Sequence, residues 1–176
     1  MAGSATNAQI RRIGGIPLWA LALGIGGLIP FAACAAAVVM GNERLLDTLL
    51  GGPIRWPDAS AILHGYAVVI LAFMGGAQWG LTTAADHRDG GPGALQKFGY
   101  LVSVLPALLA WVALFIPGYV GLFVLLFGFT NLLAYDLWTI RALSLAPAWY
   151  ARLRILLSEA VALCLIAAGL SDFLNS

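Results

Sequence analysis

The sequence contains few charged residues, two cysteines and two histidines. Only 10% of its 176 residues are Asp, Glu, Lys or Arg, whereas soluble domains contain about 25%. The formal net charge is +1, so the chain has no excess positive charge to neutralise phosphates, and we expect no nucleic-acid partner. Disordered chains are also excluded, because they combine low hydrophobicity with high net charge. With 61% hydrophobic residues, the sequence predicts an integral membrane protein in contact with the lipid bilayer.

The sequence also lacks the local patterns of common active sites. It contains no Cys-x-x-Cys, no His-Glu-x-x-His and no glycine-rich phosphate loop. His64 is the one histidine expected within a span, and His87 is expected on the opposite side of the membrane, so no axial pair is available for haem. Residues 86–89 hold one histidine among acidic residues, which is more typical of a solvated loop than of a metal site. We therefore expect no catalytic residue, no metal and no cofactor.

Five apolar stretches are long enough to cross a bilayer, which requires about 20 mostly apolar residues. The stretch from Phe98 to Trp138 is too long for one crossing. Pro117 and Gly118 divide it, because proline fixes φ at one corner of a turn and glycine accepts positive φ at the next. The sequence predicts an all-α polytopic membrane protein, one domain over residues 1–176 with a bundle of five transmembrane helices. The expected spans are 17–40, 61–84, 98–116, 118–139 and 153–173.

The loop between the first two spans has the pattern of a short amphipathic helix. Asn42 can cap its start, and Gly51-Gly52-Pro53 can end it. Its leucines fall on the face opposite its charged residues, so we expect this helix to lie on the membrane surface. The apolar stripe consists of Leu45, Leu46, Leu49 and Leu50.

Basic residues are concentrated on one side of the predicted membrane. The N-terminal tail and the second and fourth loops hold seven Lys or Arg residues, the first loop holds two, and the third loop and C-terminus hold none. Cytoplasmic loops are enriched in Lys and Arg. The bias therefore predicts a cytoplasmic N-terminus and, after five crossings, a periplasmic C-terminus. The alternative of a cleaved signal peptide is disfavoured, because residues 17–40 exceed the usual apolar core of about 7–15 residues.

Polar side chains inside the spans are candidate functional residues, because an unpartnered polar group is costly in hydrocarbon. At about 100° per residue, Gly75 shares one face of the second span with the polar residues His64, Gln78 and Thr82, and we expect this face to turn inward. Beside this face, Gly76 and Gly80 have the spacing that lets two helices approach closely. This pattern predicts that the second span is the centre of the bundle. Its expected helix-packing residues are Gly75, Gly76, Trp79 and Gly80.

Two carboxylates are expected in the cytoplasmic half of the membrane, with Asp136 late in the fourth span and Glu159 early in the fifth. They could form a binding or proton-handling site, or they could pair with nearby arginines and only fix helix packing. The interpretation favoured is that the carboxylates pair with arginines and fix helix packing. The arginines available are Arg141, Arg152 and Arg154. The whole ligand-binding or structural polar cluster comprises His64, Gln78, Thr82, Ser103, Asn131, Asp136 and Glu159.

Three motifs carry a resemblance to a known family. They are Gly-Gly-x-x-Trp-Gly in the second span, Ser-x-x-Pro-x-x-x-x-Trp at the start of the third, and Pro-x-Trp-Tyr-x-x-Leu-Arg before the last. The matching residues are Gly75, Gly76, Trp79, Gly80, Ser103, Pro106, Trp111, Pro147, Trp149, Tyr150, Leu153 and Arg154. With these motifs the chain resembles the bacterial domain of unknown function 3429, the family of transmembrane protein 69 of animal mitochondria. That family often has His or Arg at the position of Gln78, where this chain departs from it.

The resemblance covers nearly the whole chain and implies a small inner-membrane protein without an established activity. Its animal members are mitochondrial. Here residues 1–9 contain no arginine and only Arg11 and Arg12 precede the first span, unlike an Arg-rich transit peptide. We therefore expect a bacterial cytoplasmic membrane as the location.

Three functions fit these observations. The leading hypothesis is a non-enzymatic accessory subunit or assembly factor that binds other membrane proteins or a second copy, because small-residue faces occur in several spans. The second is a translocator-like protein that binds or transports a small ligand, which requires a cavity lined by His64, Gln78 and Glu159. The third is an enzyme acting on a lipid or quinone, disfavoured because His64 and the two carboxylates are expected near opposite faces of the membrane.

Overall fold

Five helices form the molecule in the computed structural model, which describes residues 12–13, 15–41, 58–89, 91, 93–143 and 146–176. This confirms the predicted all-α bundle. The surface helix predicted between the first two spans lies outside the described residues. Two short strands, β1 (Arg12–Ile13) and β2 (Ile16–Pro17), pair antiparallel before the first helix. The helices are α1 (Leu18–Val39), α2 (Ala59–Asp89), α3 (Ala94–Ala113), α4 (Gly118–Leu143) and α5 (Ala148–Leu174).

Four of these helices are long and apolar enough to cross a membrane, as far as the described part of the chain extends. The apolar part of α3, Lys97–Ala113, is shorter than the others. Both α2 and α5 extend past their expected spans at each end. The four candidate membrane helices are Leu18–Val39, Ala59–His87, Gly118–Arg141 and Ala148–Leu174.

A tight turn at Pro117-Gly118 joins α3 to α4, as the sequence predicts. After Ala113, the backbone N–H groups of Phe115 and Ile116 donate to carbonyls three residues earlier, which tightens the end of α3. Gly118 has φ of 72°, a conformation that glycine adopts without steric cost. The sequence Pro-Gly therefore reverses the chain where the expected spans meet.

The first and last helices run parallel to each other. Gly24 lies against Leu157 near one end of the bundle, and the Ser171 hydroxyl donates to the Val38 carbonyl over 3.5 Å near the other end. We call the end with Gly24 and Leu157 the Arg154 end, and the end with Val38 and Ser171 the His64 end. The His64 end also holds Ala113 and Ser171, and the Arg154 end also holds Thr82, Gly99 and Asp136.

The interior of the bundle is centred on α2 and α4, which pack against each other. α2 also packs against α1 and α3, and α4 also packs against α3 and α5. Between them lies a core of buried apolar side chains, with Leu63, Leu71, Leu122, Leu125 and Leu165 fully enclosed. The outer faces of all five helices expose large hydrophobic side chains, as expected for surfaces in contact with lipid.

Candidate functional site

His64 connects three helices at the hairpin between α3 and α4. Its imidazole is buried, and Nε2 donates a hydrogen bond to the Ala113 carbonyl over 3.0 Å. A Cβ atom at Gly121 of α4 would lie 2.4 Å from His64 Cε1 and 1.9 Å from the Ile116 carbonyl oxygen. Only glycine fits between the ring and the turn. His64 is therefore a hydrogen-bonded packing residue at the His64 end.

Gln78 and Thr82 face α3 and α4 on the inner side of α2. Both are buried, and the Thr82 hydroxyl donates to the Gln78 carbonyl over 3.0 Å. Gly99 gives α3 its close approach here, since a Cβ there would lie 3.0 Å from Thr82 Oγ1 and 3.4 Å from the Tyr135 hydroxyl. The Tyr135 hydroxyl also lies beside the Gln78 side chain. Tyr135 was not among the site residues predicted from the sequence, although it directly precedes Asp136.

The Gln78 amide forms no hydrogen bond of normal geometry to the residues that the structure describes, and its contact with the Tyr135 hydroxyl is a loose one. It is also 2% exposed. An unsatisfied buried polar group costs about 1–3 kcal/mol. Such a cost is unusual in a position that serves packing alone, so Gln78 stands out among the polar residues of α2.

Gly75 is the position where α2 and α3 come closest. A Cβ there would lie 2.6 Å from the Ser103 carbonyl oxygen and 3.3 Å from Pro106 Cβ. Ser103 is itself buried, and its hydroxyl donates to the Tyr100 carbonyl over 2.7 Å. Gly75 is therefore the predicted helix-packing residue that lies inside the bundle.

The other three predicted helix-packing residues of α2 face outward. A Cβ at Gly76 or Gly80 would meet nothing within 4 Å among the residues in the described ranges. Trp79 is 48% exposed and lies against Tyr100, with ring centroids 4.9 Å apart. One residue step turns a helix by about 100°, which separates Gly75 from Gly76. The Gly-x-x-x-Gly pair lies on the membrane-facing surface.

A buried ion pair joins α4 to α5 at the Arg154 end. Asp136 Oδ2 accepts a hydrogen bond from Arg154 Nη2. Arg154 is 7% exposed and Asp136 is 3% exposed, so two charges that would each be costly in the membrane neutralise one another. Arg154 is one of the three arginines that the sequence offered as partners. The sequence contains an indication that Arg154 is buried, because it lies between the apolar residues Leu153 and Ile155.

The rest of the Arg154 guanidinium is poorly satisfied. Nη1 donates to Met74 Sδ of α2 over 3.3 Å, and a thioether is a weak acceptor. Nε makes no hydrogen bond to any residue in the described part of the chain. A guanidinium has five N–H donors. The ion pair therefore fixes Arg154 while leaving donor capacity unused.

Asn131 and Glu159 lie on the outside of the bundle. Asn131 Nδ2 donates to the Phe127 carbonyl one turn earlier, over 2.8 Å. The Glu159 side chain is exposed and makes no hydrogen bond or ion pair within the described ranges. The seven residues of the predicted polar cluster are thus not brought together. They occupy separate places: His64 at the hairpin, Gln78, Thr82 and Ser103 between α2 and α3, Asp136 in the ion pair, and Asn131 and Glu159 outside.

The described residues contain no group of three or more His, Cys, Asp or Glu side chains arranged to hold a metal ion. Cys34 and Cys164 are both free thiols. The chemistry that the site offers is therefore hydrogen bonding and charge, from Gln78 and Tyr135 at one place and from Arg154 at another.

Long apolar helices, a lipid-facing hydrophobic surface and an ion pair in the interior define a multi-pass helical membrane protein. The chain belongs to the family described as protein of unknown function (DUF3429), which matches residues 16–170. It is also similar to transmembrane protein 69 of Xenopus tropicalis, with 28% identity over 160 residues. The alignment covers 90% of this chain and 56% of the relative, so this chain spans little more than half of that protein's length. No solved structure matches it.

Proposed function

We propose that this protein is a non-enzymatic accessory subunit or assembly factor of a larger complex in a bacterial cytoplasmic membrane, with its N-terminus in the cytoplasm. Glu159 carries the proposal. It is an ionisable side chain within a membrane helix, it faces outward, and the described residues supply it with no partner. A partner outside this chain is the simplest source of the missing polar contact.

The cost of leaving Glu159 in lipid supports this proposal. An acidic or basic side chain at the centre of a membrane helix costs about 3 kcal/mol. The nearby Thr130 hydroxyl does not lower this cost, since it donates to the Leu126 carbonyl of its own helix. A binding partner with a basic or amide side chain would lower it.

The shape of the surface around Glu159 also fits a protein partner. A groove of about 180 Å³ runs between α4 and α5 beside it. Its walls include Thr130, Ser158 and Ala162. Small and polar side chains of this kind are common where membrane helices associate. We expect the partner to be another membrane protein or a second copy of this chain.

The experiment is purification of the tagged protein in a mild detergent, followed by measurement of the intact complex mass. Wild type is expected to carry a stoichiometric partner. Glu159→Leu should reduce the recovered partner about tenfold or more without lowering the thermal stability of the protein itself. Asn131→Leu is the matched control, because it removes an exposed polar side chain that already has its own hydrogen bond. Recovery of wild type as a free monomer in several detergents would contradict the proposal.

A ligand-transport site built from His64, Gln78 and Glu159 has less support. His64 and Gln78 are about 21 Å apart along α2, and Glu159 faces the outside of the bundle. An enzyme using His64, Asp136 and Glu159 has little support for the same reason, because the imidazole and the Asp136 carboxylate lie at opposite ends of the molecule.

A further inference from the structure

A second feature of the molecule is a cavity of about 280 Å³ between α1, α2 and α5. It lies beside the core, on a different side of α5 from Glu159. Its walls are mainly apolar, with Leu28, Phe31 and Ile70 among them. Its size is close to the lower limit of about 300 Å³ for small-molecule sites. The cavity is thus large enough for part of a lipid-soluble molecule.

The cavity is bordered by side chains that face the membrane. Leu23 of α1 is 77% exposed and Phe73 of α2 is 66% exposed, and both also line the cavity. Access is therefore sideways, from the hydrocarbon region of the bilayer between α1 and α2. A molecule dissolved in the membrane can reach this site without passing through water.

The same cavity has a polar wall formed by Arg154 and Ser158. Arg154 donates to Met74, which is another lining residue, and its Nε atom has no acceptor in the described part of the molecule. A buried guanidinium with an unused donor and a weak thioether acceptor, beside an otherwise apolar cavity, favours a ligand with an oxygen acceptor. Met74 has a flexible side chain that can yield to a better acceptor than its own sulfur.

The charge of the site determines which oxygen fits. Asp136 already neutralises Arg154. A carboxylate or phosphate would therefore add an unbalanced negative charge to a buried site, which is costly. A neutral carbonyl oxygen accepts the same hydrogen bond without that cost.

We propose that the cavity between α1, α2 and α5 binds a neutral lipid-soluble molecule whose carbonyl oxygen accepts a hydrogen bond from Arg154. Both a quinone ring and an acyl ester offer this chemistry on a hydrocarbon body. The cavity shares Phe129 and Ser158 with the groove beside Glu159, but Glu159 itself does not line it. Removal of the Glu159 side chain should therefore leave binding in the cavity intact.

The test measures how four probes shift the thermal unfolding of the full-length protein in a maltoside detergent, which carries no carbonyl group. The probes are decane, methyl decanoate, decanoate and a decyl-substituted benzoquinone. A ligand that binds only the folded state raises the unfolding temperature, and at equal concentration the tighter ligand raises it more. We expect the unfolding temperature to rise with the ester or with the quinone. The probe that gives the larger rise identifies the natural source of the carbonyl. An equal rise with decane, or a larger one with decanoate, would overturn the proposal.

A matched pair of substitutions tests the location of the site. Gly27→Leu places a side chain in the cavity, where a Cβ would meet only the Tyr66 hydroxyl at 3.9 Å. Gly26→Leu places the same side chain on the exposed face, where no described atom lies within 4 Å of a Cβ. The rise in unfolding temperature caused by the ligand should disappear in Gly27→Leu and persist in both Gly26→Leu and Glu159→Leu. A rise in Gly27→Leu equal to that of wild type would place the ligand elsewhere.

The role of Arg154 is tested with both charges removed together, because removal of one alone would leave the other buried and unpaired. The double variant Asp136→Leu with Arg154→Met keeps the interior filled and apolar. Its affinity for the ester or quinone should fall about tenfold, the equivalent of one hydrogen bond. This measurement does not depend on the folding of Gly27→Leu. Unchanged affinity in the double variant would show that the guanidinium does not bind the carbonyl.

Discussion

At the scale of single residues, neighbouring glycines of α2 have different environments. Gly75 touches the backbone of α3, and Gly76 has open space around its Cα. Both belong to a glycine-rich stretch in which the sequence offers no distinction by residue type. Their environments differ because the helix turns between them: helical periodicity places Gly75 on the face of His64 and Gln78, and Gly76 beside it. The arrangement of α3 then determines how closely Gly75 is approached.

Substitution of these glycines should therefore affect stability in opposite directions. Gly75→Ala forces the Ser103 carbonyl away from a 2.6 Å contact and should cost about 1–3 kcal/mol. Gly76→Ala should leave stability unchanged or raise it by up to about 1 kcal/mol, because alanine favours helix. Thermal unfolding in detergent measures both. Equal effects of the two substitutions would show that α2 and α3 are not in this close contact.

The polar residues show how far sequence reasoning reaches at this scale. Helical periodicity places His64, Gln78 and Thr82 on one face of α2, and the structure buries all three. Periodicity within one helix carries no information about the rotation of another helix. For that reason the sequence grouped Glu159 with Asp136, whereas the structure turns Glu159 outward. The contribution of Tyr135 was missed for the same reason, since it depends on how α4 faces α2.

At the scale of elements, the turn between α3 and α4 depends on local sequence alone. Pro117 and Gly118 specify a reversal, and the structure has it there. The end of α3 is fixed further by His64, which donates to the Ala113 carbonyl from α2. Local chemistry predicted the turn, and a residue distant in sequence secures its position.

The positive φ of Gly118 leads to a prediction for this element. Gly118→Ala puts a Cβ into the left-handed region and should lower the free energy of unfolding by about 1–2 kcal/mol. Gly65→Ala is the control, because Gly65 is helical and a Cβ there meets nothing within 4 Å in the described structure. Chemical or thermal unfolding of both variants provides the comparison. A stability of Gly118→Ala equal to that of Gly65→Ala would mean that the turn tolerates a side chain.

At the scale of the whole molecule, the parallel α1 and α5 follow from an odd number of alternating helices. The five helices of the described residues were predictable, because each contains an apolar run that is visible in the sequence. The contacts between the helices were not predictable, since apolar side chains that face lipid and those that face the core look alike in sequence. Leu71 is fully enclosed, whereas Leu163 is 66% exposed.

The distribution of basic residues predicts on which side of the membrane each end lies. In a background of Cys34→Ala and Cys164→Ala, a membrane-impermeant maleimide added to intact bacteria should label Ser176→Cys and leave His87→Cys unlabelled. Both positions are exposed, so accessibility differs only through the membrane. Labelling of both after permeabilisation is the control. The reverse pattern in intact cells would place the N-terminus outside the cytoplasm.

The ion pair between Asp136 and Arg154 also has a consequence for biogenesis. The two partners lie on consecutive helices, and the chain is synthesised from its N-terminus. Asp136 therefore reaches the insertion machinery before the arginine that neutralises it exists in the membrane. We expect α4 to remain associated with the insertion machinery until α5 follows. A nascent chain that ends after α4 should be held back from the bilayer, and the complete chain should be released into it.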